Sequence, residues 1–183
     1  YRFLVIADAI QDGIGRCGKP FVHNYFNFKP DIIIAAKAIG GGLPLGAILV
    51  NEELSTVLET GKHGTTFGGN PVSCAAGKAV LEEVFENGLM ENALNLGSYF
   101  IDELKNLQKK FPEKINEIRG KGLMIGVELS FVGNKLVTVM REKGFLINCT
   151  NESVLRLLPP LIIKMEEIDL FIETFEICLE SYE

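Results

Sequence analysis

Between Pro30 and Gly46 the chain reads Asp31-Ile32-Ile33-Ile34-Ala35-Ala36-Lys37-Ala38-Ile39-Gly40-Gly41-Gly42-Leu43-Pro44-Leu45. No other stretch restricts the fold as much. The apolar run Ile32 to Ala36, bounded by a proline and a glycine cluster, predicts a short, fully buried strand. Lys37 stands at its end, which would hold its amine at the lip of the core. Burial of that kind disfavours the charged form and makes a lysine amine a nucleophile. The same placement also suits a lysine that merely snorkels to solvent.

The flanking stretches add chemistry. Upstream, Phe3-Leu4-Val5-Ile6-Ala7 predicts a second buried strand, over residues 2 to 7, that ends in Asp8; downstream lies His63-Gly64-Thr65-Thr66-Phe67-Gly68-Gly69-Asn70-Pro71. An acid, an amine and paired hydroxyls in glycine-rich loops are the parts that hold pyridoxal phosphate: the lysine anchors it covalently, the carboxylate keeps the pyridine nitrogen protonated, and hydroxyl and backbone donors take the phosphate. The order and spacing resemble the class III aminotransferases of the ornithine and acetylornithine type, whose pattern is roughly DEVQxGxGRTG, then PDxxxxxKxxGGGxPxGA, then HGTTxGGNP. The similarity covers nearly the whole chain.

That resemblance implies an α/β fold of the fold type I class of pyridoxal phosphate enzymes, here a partial large domain plus a C-terminal small α+β domain. It implies that Lys37 is both the covalent anchor and the acid/base that moves the substrate's α-proton. Asp8 would pair with the ring nitrogen, Ile10 would pack on the ring face, and Gln11 would lie near the phenolic oxygen. Thr66 would reach the phosphate of a partner subunit and Thr65 the substrate, which implies a homodimer with shared active sites. Arg156, an arginine in the apolar run Leu155 to Leu158, would take a substrate carboxylate with its planar fork; a structural ion pair is the other reading. His63 and Arg119 are expected to be structural. The amino group would pass between N-acetylornithine, or a related ω-amino acid, and 2-oxoglutarate, as in arginine biosynthesis. Ornithine, succinylornithine and 4-aminobutyrate enzymes share nearly all these blocks, and a non-catalytic remnant of the fold is the reading from another class. Ala9 departs from the pattern, which has Glu there.

Composition narrows the rest. The 183 residues are 47% hydrophobic and 23% charged with a formal net charge of -6, and the pI is near 5.1. Such a balance suits a globular chain with small-molecule partners and argues against nucleic acid, whose phosphates need clustered Lys and Arg. No apolar run is long enough for a membrane span. Cys17, Cys74, Cys149 and Cys178 lie far apart without metal-type spacing, and read as free thiols in a reducing, cytoplasmic setting. A chain that opens at Tyr1 directly on a core strand reads as the C-terminal half of a longer protein.

Two decoys fall on residues 13 to 20. Gly13, Gly15 and Gly18 match a dinucleotide fingerprint, and Gly13 with Gly18-Lys19 matches most of a phosphate loop. Pro20 replaces the Ser or Thr such a loop requires, and no amphipathic helix follows for a phosphate to cap. Further on, Ala47 to Val50 predicts a strand, and Asn51 caps a short helix closed by Gly61. A helix from Pro71 would pack through Val72, Ala75, Ala76, Ala79, Val80 and Val84, and be broken by Asn87-Gly88. A second, from Leu89 to Phe111, would pack through Met90, Ala93, Leu94, Ile101, Leu104 and Leu107. The expected domains are 1–87 and 88–183. In the second, strands are predicted at Leu123 to Leu129, Phe145 to Cys149 and Val154 to Leu158, with helices at Lys135 to Lys143 and Met165 to Ser181. Lys164 leaves the last without a side-chain cap.

Overall fold

The computed structural model describes residues 3–57 and 59–182, so the expected strand start at Arg2 lies outside the described residues. The chain divides into two compact units, Tyr1–Met90 and Glu91–Glu183.

The first unit holds a three-stranded sheet in the order β1-β2-β3, with β1 at Ile6–Asp8, β2 at Ile32–Ala35 and β3 at Ala47–Val50. β1 runs parallel to β2, which places Asp8 opposite Ile34, and β3 returns antiparallel. Asp31 laces the start of the sheet. Its carboxylate accepts from Val5 N and Asn51 Nδ2, both at 2.9 Å, and its carbonyl from Asn51 N at 3.1 Å. The expected full burial is not found. Only Ala35 of β2 is buried, and Phe3 is 82% and Ile6 56% exposed. An apolar run states a preference for burial, but burial needs a layer on each face, and nothing among the described residues covers these side chains.

Asn51 caps one 3-10 turn, Glu52–Leu54, by accepting from Leu54 N; this replaces the longer helix expected up to Gly61. The helix α1, Pro71–Glu86, starts with Pro71 in its first turn and the Asn70 carboxamide accepting from Val72 N and Ser73 N. Its buried residues are Ser73, Gly77 and Val84, whereas the predicted packing positions Val72, Ala75 and Ala79 are exposed. The helix packs through its smallest residues, because only there can its backbone approach the lysine loop: a Cβ on Gly77 would lie 2.5 Å from Leu45 Cδ2 and 3.1 Å from the Ile39 carbonyl.

The second unit is a four-stranded antiparallel sheet in the order β4-β5-β7-β6. Its strands are β4 (Ile115–Lys121), β5 (Met124–Leu129), β6 (Asn148–Thr150) and β7 (Val154–Leu157), and its helices are α2 (Leu89–Lys110), α3 (Asn134–Glu142) and α4 (Met165–Glu180). Alternate residues of β5 and β7 face a core that includes Phe100, Leu104, Leu136, Met140 and Phe175. Several expectations are corrected. Leu94 lies on the exposed side of α2. β4 was not anticipated, because as a sheet edge it buries only Ile115 and alternates weakly. The expected strand from Phe145 to Cys149 is reduced to Asn148–Thr150, since Gly144, at a φ of +93°, and the residues after it leave α3 in a turn. At α4 the missing cap is partly made good: Glu167, three residues in, accepts from Lys164 N at 2.8 Å.

Candidate active site

Sheet polarity brings two of the expected residues to one edge. β1 and β2 are parallel neighbours, so their carboxyl ends coincide; Ala9 N donates to the Ile34 carbonyl at 2.9 Å, extending the pairing past Asp8. Asp8 closes β1, and Lys37 stands three residues beyond its register partner Ile34. Acid and amine thus rise from adjacent strands, about 4.8 Å apart in the pairing direction. The carboxyl edge of a parallel pair is where α/β folds bind ligands.

Lys37 opens a 3-10 turn, Lys37–Gly40, with a φ of +52°, a left-handed conformation that costs a non-glycine residue of order 1 kcal/mol or more. Gly41 and Gly42 continue the loop at φ of +58° and +98°. A Cβ on Gly41 would lie 2.8 Å from Val80 Cγ2, so a glycine is required there on two counts. Lys37 is exposed rather than held at the lip of the core. The chain stays extended through Ala36 and turns at Lys37 itself, whose side chain is exposed.

After Asp8 the chain makes an α-turn, with Gly13 N donating to the Ala9 carbonyl at 3.1 Å. The Asp8 carboxylate accepts from Ile10 N at 3.1 Å and is exposed. Ile10 and Gln11 are half-buried within the turn. Ala9 is 2% exposed. Two residues not singled out in the sequence stand here. Asp12 has its Oδ1 buried without a hydrogen-bond partner, and burial pushes its carboxyl above the usual range against the hydrogen bond from its own backbone N–H, with smaller opposing contributions from the Asp8 charge and His23. His23 is 8% exposed, stacks on Phe21 at 5.5 Å between ring centres, and has a buried, unpartnered Nδ1.

Thr65 and Thr66 lie in the exposed loop that leads to the cap of α1. Arg156 belongs to the second unit. It sits on β7, an inner strand, half-buried on the face opposite Leu155 and Leu157, and its guanidinium donates to the Asn148 side-chain oxygen at 2.9 Å while the Asn148 amide donates to the Arg156 carbonyl at 3.2 Å. The residue paired with it on β5 is Gly126, which pairs in turn with Arg119, whose Cγ lies 3.6 Å from where a Cβ on Gly126 would stand. Arg119 is engaged by Glu117 and Glu128, each at 2.6 Å, in the structural role expected of it. All four cysteines are free. Among the described residues no His/Cys/Asp/Glu group could hold a metal ion, and no helix is long and apolar enough to cross a membrane.

The model of the aminotransferase class-III family matches residues 1–179, and the chain belongs to that family of pyridoxal phosphate enzymes. Acetylornithine aminotransferase of Methanocaldococcus jannaschii is 47% identical over 175 residues, 96% of this chain and 44% of the relative. Among solved structures, acetylornithine aminotransferase from Elizabethkingia anophelis superposes with a TM-score of 0.91 at 35% identity, over 98% of this chain and 46% of its own. Ornithine aminotransferase from Plasmodium yoelii does so at 0.92 and 32%, over 98% and 48%. The fold is therefore the fold type I α/β class, and the chain spans about half the length of the relatives it matches.

Proposed function

We propose that this chain supplies the lysine and ring-acid side of a class III aminotransferase site that moves an amino group between N-acetylornithine and 2-oxoglutarate, as in arginine biosynthesis. The observation that carries the reading is the shared carboxyl edge of β1 and β2, with Asp8 on one strand end and Lys37 just past the other. These residues fit pyridoxal phosphate. The cofactor, when bound, supplies an electron sink for the carbanion left by α-proton removal. Lys37, on a strained turn fixed from below by α1, would hold it covalently and carry the proton. Asp8, an exposed carboxylate, is suited to hold a proton on the ring nitrogen, with Ile10 and Gln11 beside it in the turn. Thr65 and Thr66 are exposed, as residues serving a substrate and a neighbouring subunit's phosphate would be; the enzyme is thus read as a homodimer. The half-buried Arg156, with its planar fork, is suited to a substrate carboxylate. Free cysteines suit a reducing, cytoplasmic setting.

Ornithine as the donor is the second reading, favoured by the structural likeness to the Plasmodium yoelii enzyme and by an ornithine aminotransferase of Staphylococcus aureus that is 43% identical over 94% of this chain. The test is borohydride reduction in the presence of pyridoxal phosphate followed by peptide mapping. Label is expected on Lys37 and absent from Lys37→Ala. Label on other lysines alone would refute the site.

A further inference from the structure

One rung of the second sheet carries two arginines. Arg119 of β4 pairs with Gly126 of β5, Gly126 with Arg156 of β7, and Arg156 with Asn148 of β6, so the rung crosses all four strands. Register partners of antiparallel strands point to the same side, and the buried Leu155 and Leu157 point to the other, into the core. The two guanidiniums are held in opposite ways. Arg119 is met by two carboxylates, Glu117 and Glu128, each at 2.6 Å. Arg156 is met by a carboxamide: the Asn148 side-chain oxygen accepts from the guanidinium at 2.9 Å, and the Asn148 amide donates to the Arg156 carbonyl at 3.2 Å. One planar group thus ties the tip of the arginine to its own main chain. The tie depends on register, because a slip of one residue would turn Asn148 to the other face. The hairpin from β6 to β7 sets that register. It turns through Asn151 and Glu152, at φ of +48° and +64°, and Thr150 Oγ1 donates to the Val154 carbonyl at 3.3 Å across its mouth.

We infer that Asn148 is a positioning residue for Arg156, fixing the plane of the guanidinium fork without adding a negative charge beside it. The inference rests on the proposed role of Arg156 toward a substrate carboxylate. A long arginine side chain samples many rotamers, whereas bidentate capture of a carboxylate needs one orientation of the fork. Holding that orientation beforehand removes part of the ordering cost of binding. A carboxylate in place of the amide would also fix the fork, as Glu117 and Glu128 fix Arg119, but it would compete with the substrate for the same donors. A carboxamide orients the fork and contributes no competing charge.

The experiment is steady-state kinetics of the holoenzyme with 2-oxoglutarate for Asn148→Ala, Asn148→Asp, Arg156→Lys and the double variant Asn148→Ala with Arg156→Lys, each with its urea unfolding midpoint. Asn148→Ala removes the tie and should raise KM about fivefold, the worth of one modest hydrogen bond, with the change in KM rather than kcat. Asn148→Asp keeps the shape and adds the competing charge, and should raise KM roughly tenfold or more. In the Arg156→Lys background Asn148→Ala should add less than about twofold, because an ammonium has no fork to orient. Asn148 is exposed, so the unfolding midpoint should hold in both Asn148 variants. If Arg156→Lys raises KM and neither Asn148 variant does, the role of Asn148 is refuted and that of Arg156 stands. An Asn148→Ala effect that adds in full to Arg156→Lys shows that Asn148 acts elsewhere. A lowered midpoint with kcat reduced and KM unchanged makes it a staple of the hairpin; either result overturns the inference. If Arg156→Lys leaves KM unchanged, the carboxylate reading of Arg156 falls and the inference with it, while labelling of Lys37 reads the lysine site separately.

Discussion

The contact between α1 and the lysine loop can be tested by Gly77→Ala. Alanine in place of glycine inside a helix is worth about 0.5–1 kcal/mol in favour of the helix. Here the new methyl would stand 2.5 Å from Leu45 Cδ2 and 3.1 Å from the Ile39 carbonyl. The leucine methyl is the far end of a half-buried side chain and can rotate; the carbonyl belongs to the Lys37–Gly40 turn and moves only if the turn moves. Overpacking of this kind costs about 1–3 kcal/mol, so the clash wins and the net loss is about 1 kcal/mol. The assay is hydrogen exchange of the α1 amides, which reads the free energy of local opening without requiring the two units to unfold together. In a double-mutant cycle with Leu45→Ala, the loss should shrink, with a coupling of about 0.5 kcal/mol or more, because one of the two clashes is gone. Protection that rises in Gly77→Ala by the helix-propensity amount, and that adds with Leu45→Ala, would show that α1 does not press on the loop.

Phe175→Ala removes a fully buried ring stacked 5.6 Å from Phe171 and should cost about 3–5 kcal/mol in urea unfolding of the second unit; a loss under 1 kcal/mol would refute the core as described. The Tyr99 hydroxyl donates to Asp169 at 2.5 Å, and that bond pushes its pKa up to about 12. The favoured form is the neutral phenol, so its contribution is complete below about pH 10, the unfolded value, and is lost as pH rises through 10 to 12. Tyr99→Phe should flatten that alkaline limb of stability, and an unchanged limb would place it elsewhere. In the holoenzyme Arg156→Lys keeps the charge but loses the fork, and KM for 2-oxoglutarate should rise roughly tenfold; an unchanged KM would assign Arg156 to structure. Residues 1–183 alone should show no acetylornithine turnover, because Lys37 and Thr66 both stand in solvent and reacting groups must be held rigidly. Turnover by the isolated chain would contradict this.

The sequence made the pattern of the first sheet legible because its strands are bounded runs with punctuation: Pro30 before β2, glycines after it, Asn51 after β3. The site motifs were legible for the same reason, since Asp8 and Lys37 both sit where an apolar run ends. Burial was less so. The Ile32 to Ile34 side chains are the same whether or not a layer covers them, and pattern alone cannot supply the layer. Of the packing positions expected on α1, Val84 is buried and Ala76 and Val80 are half-buried, whereas the buried Ser73 and Gly77 carry no apolar signal and are selected by close backbone approach. β4 was missed because an edge strand with a charged outer face has no alternation to read, though Glu117, Arg119 and Glu128 bind it across the rung. Asp12 and His23 belong to no motif of their own, so their burial is not legible from the pattern.

Sheet polarity also explains why two aspartates in one unit have different fates. Asp31 precedes β2 at the end of the sheet where Val5 N and Asn51 offer donors, and its carboxylate is used in holding three strands together. Asp8 follows β1 at the opposite end, where the chains diverge into turns and its carboxylate accepts from Ile10 N of its own loop. A carboxylate taken up by structural donors is poorly placed to answer a ligand's charge, whereas one left at a diverging edge is available. Had the unit been built with β1 antiparallel to β2, Asp8 would have met Asp31 at the amino end of β2 and Lys37 would have stood alone. The parallel pairing of three residues with three, Ile6 with Ile32 through Asp8 with Ile34, is what brings the acid and the amine to a common edge. The glycine face of α1, pressed under the turn that carries Lys37, then fixes where the amine is presented.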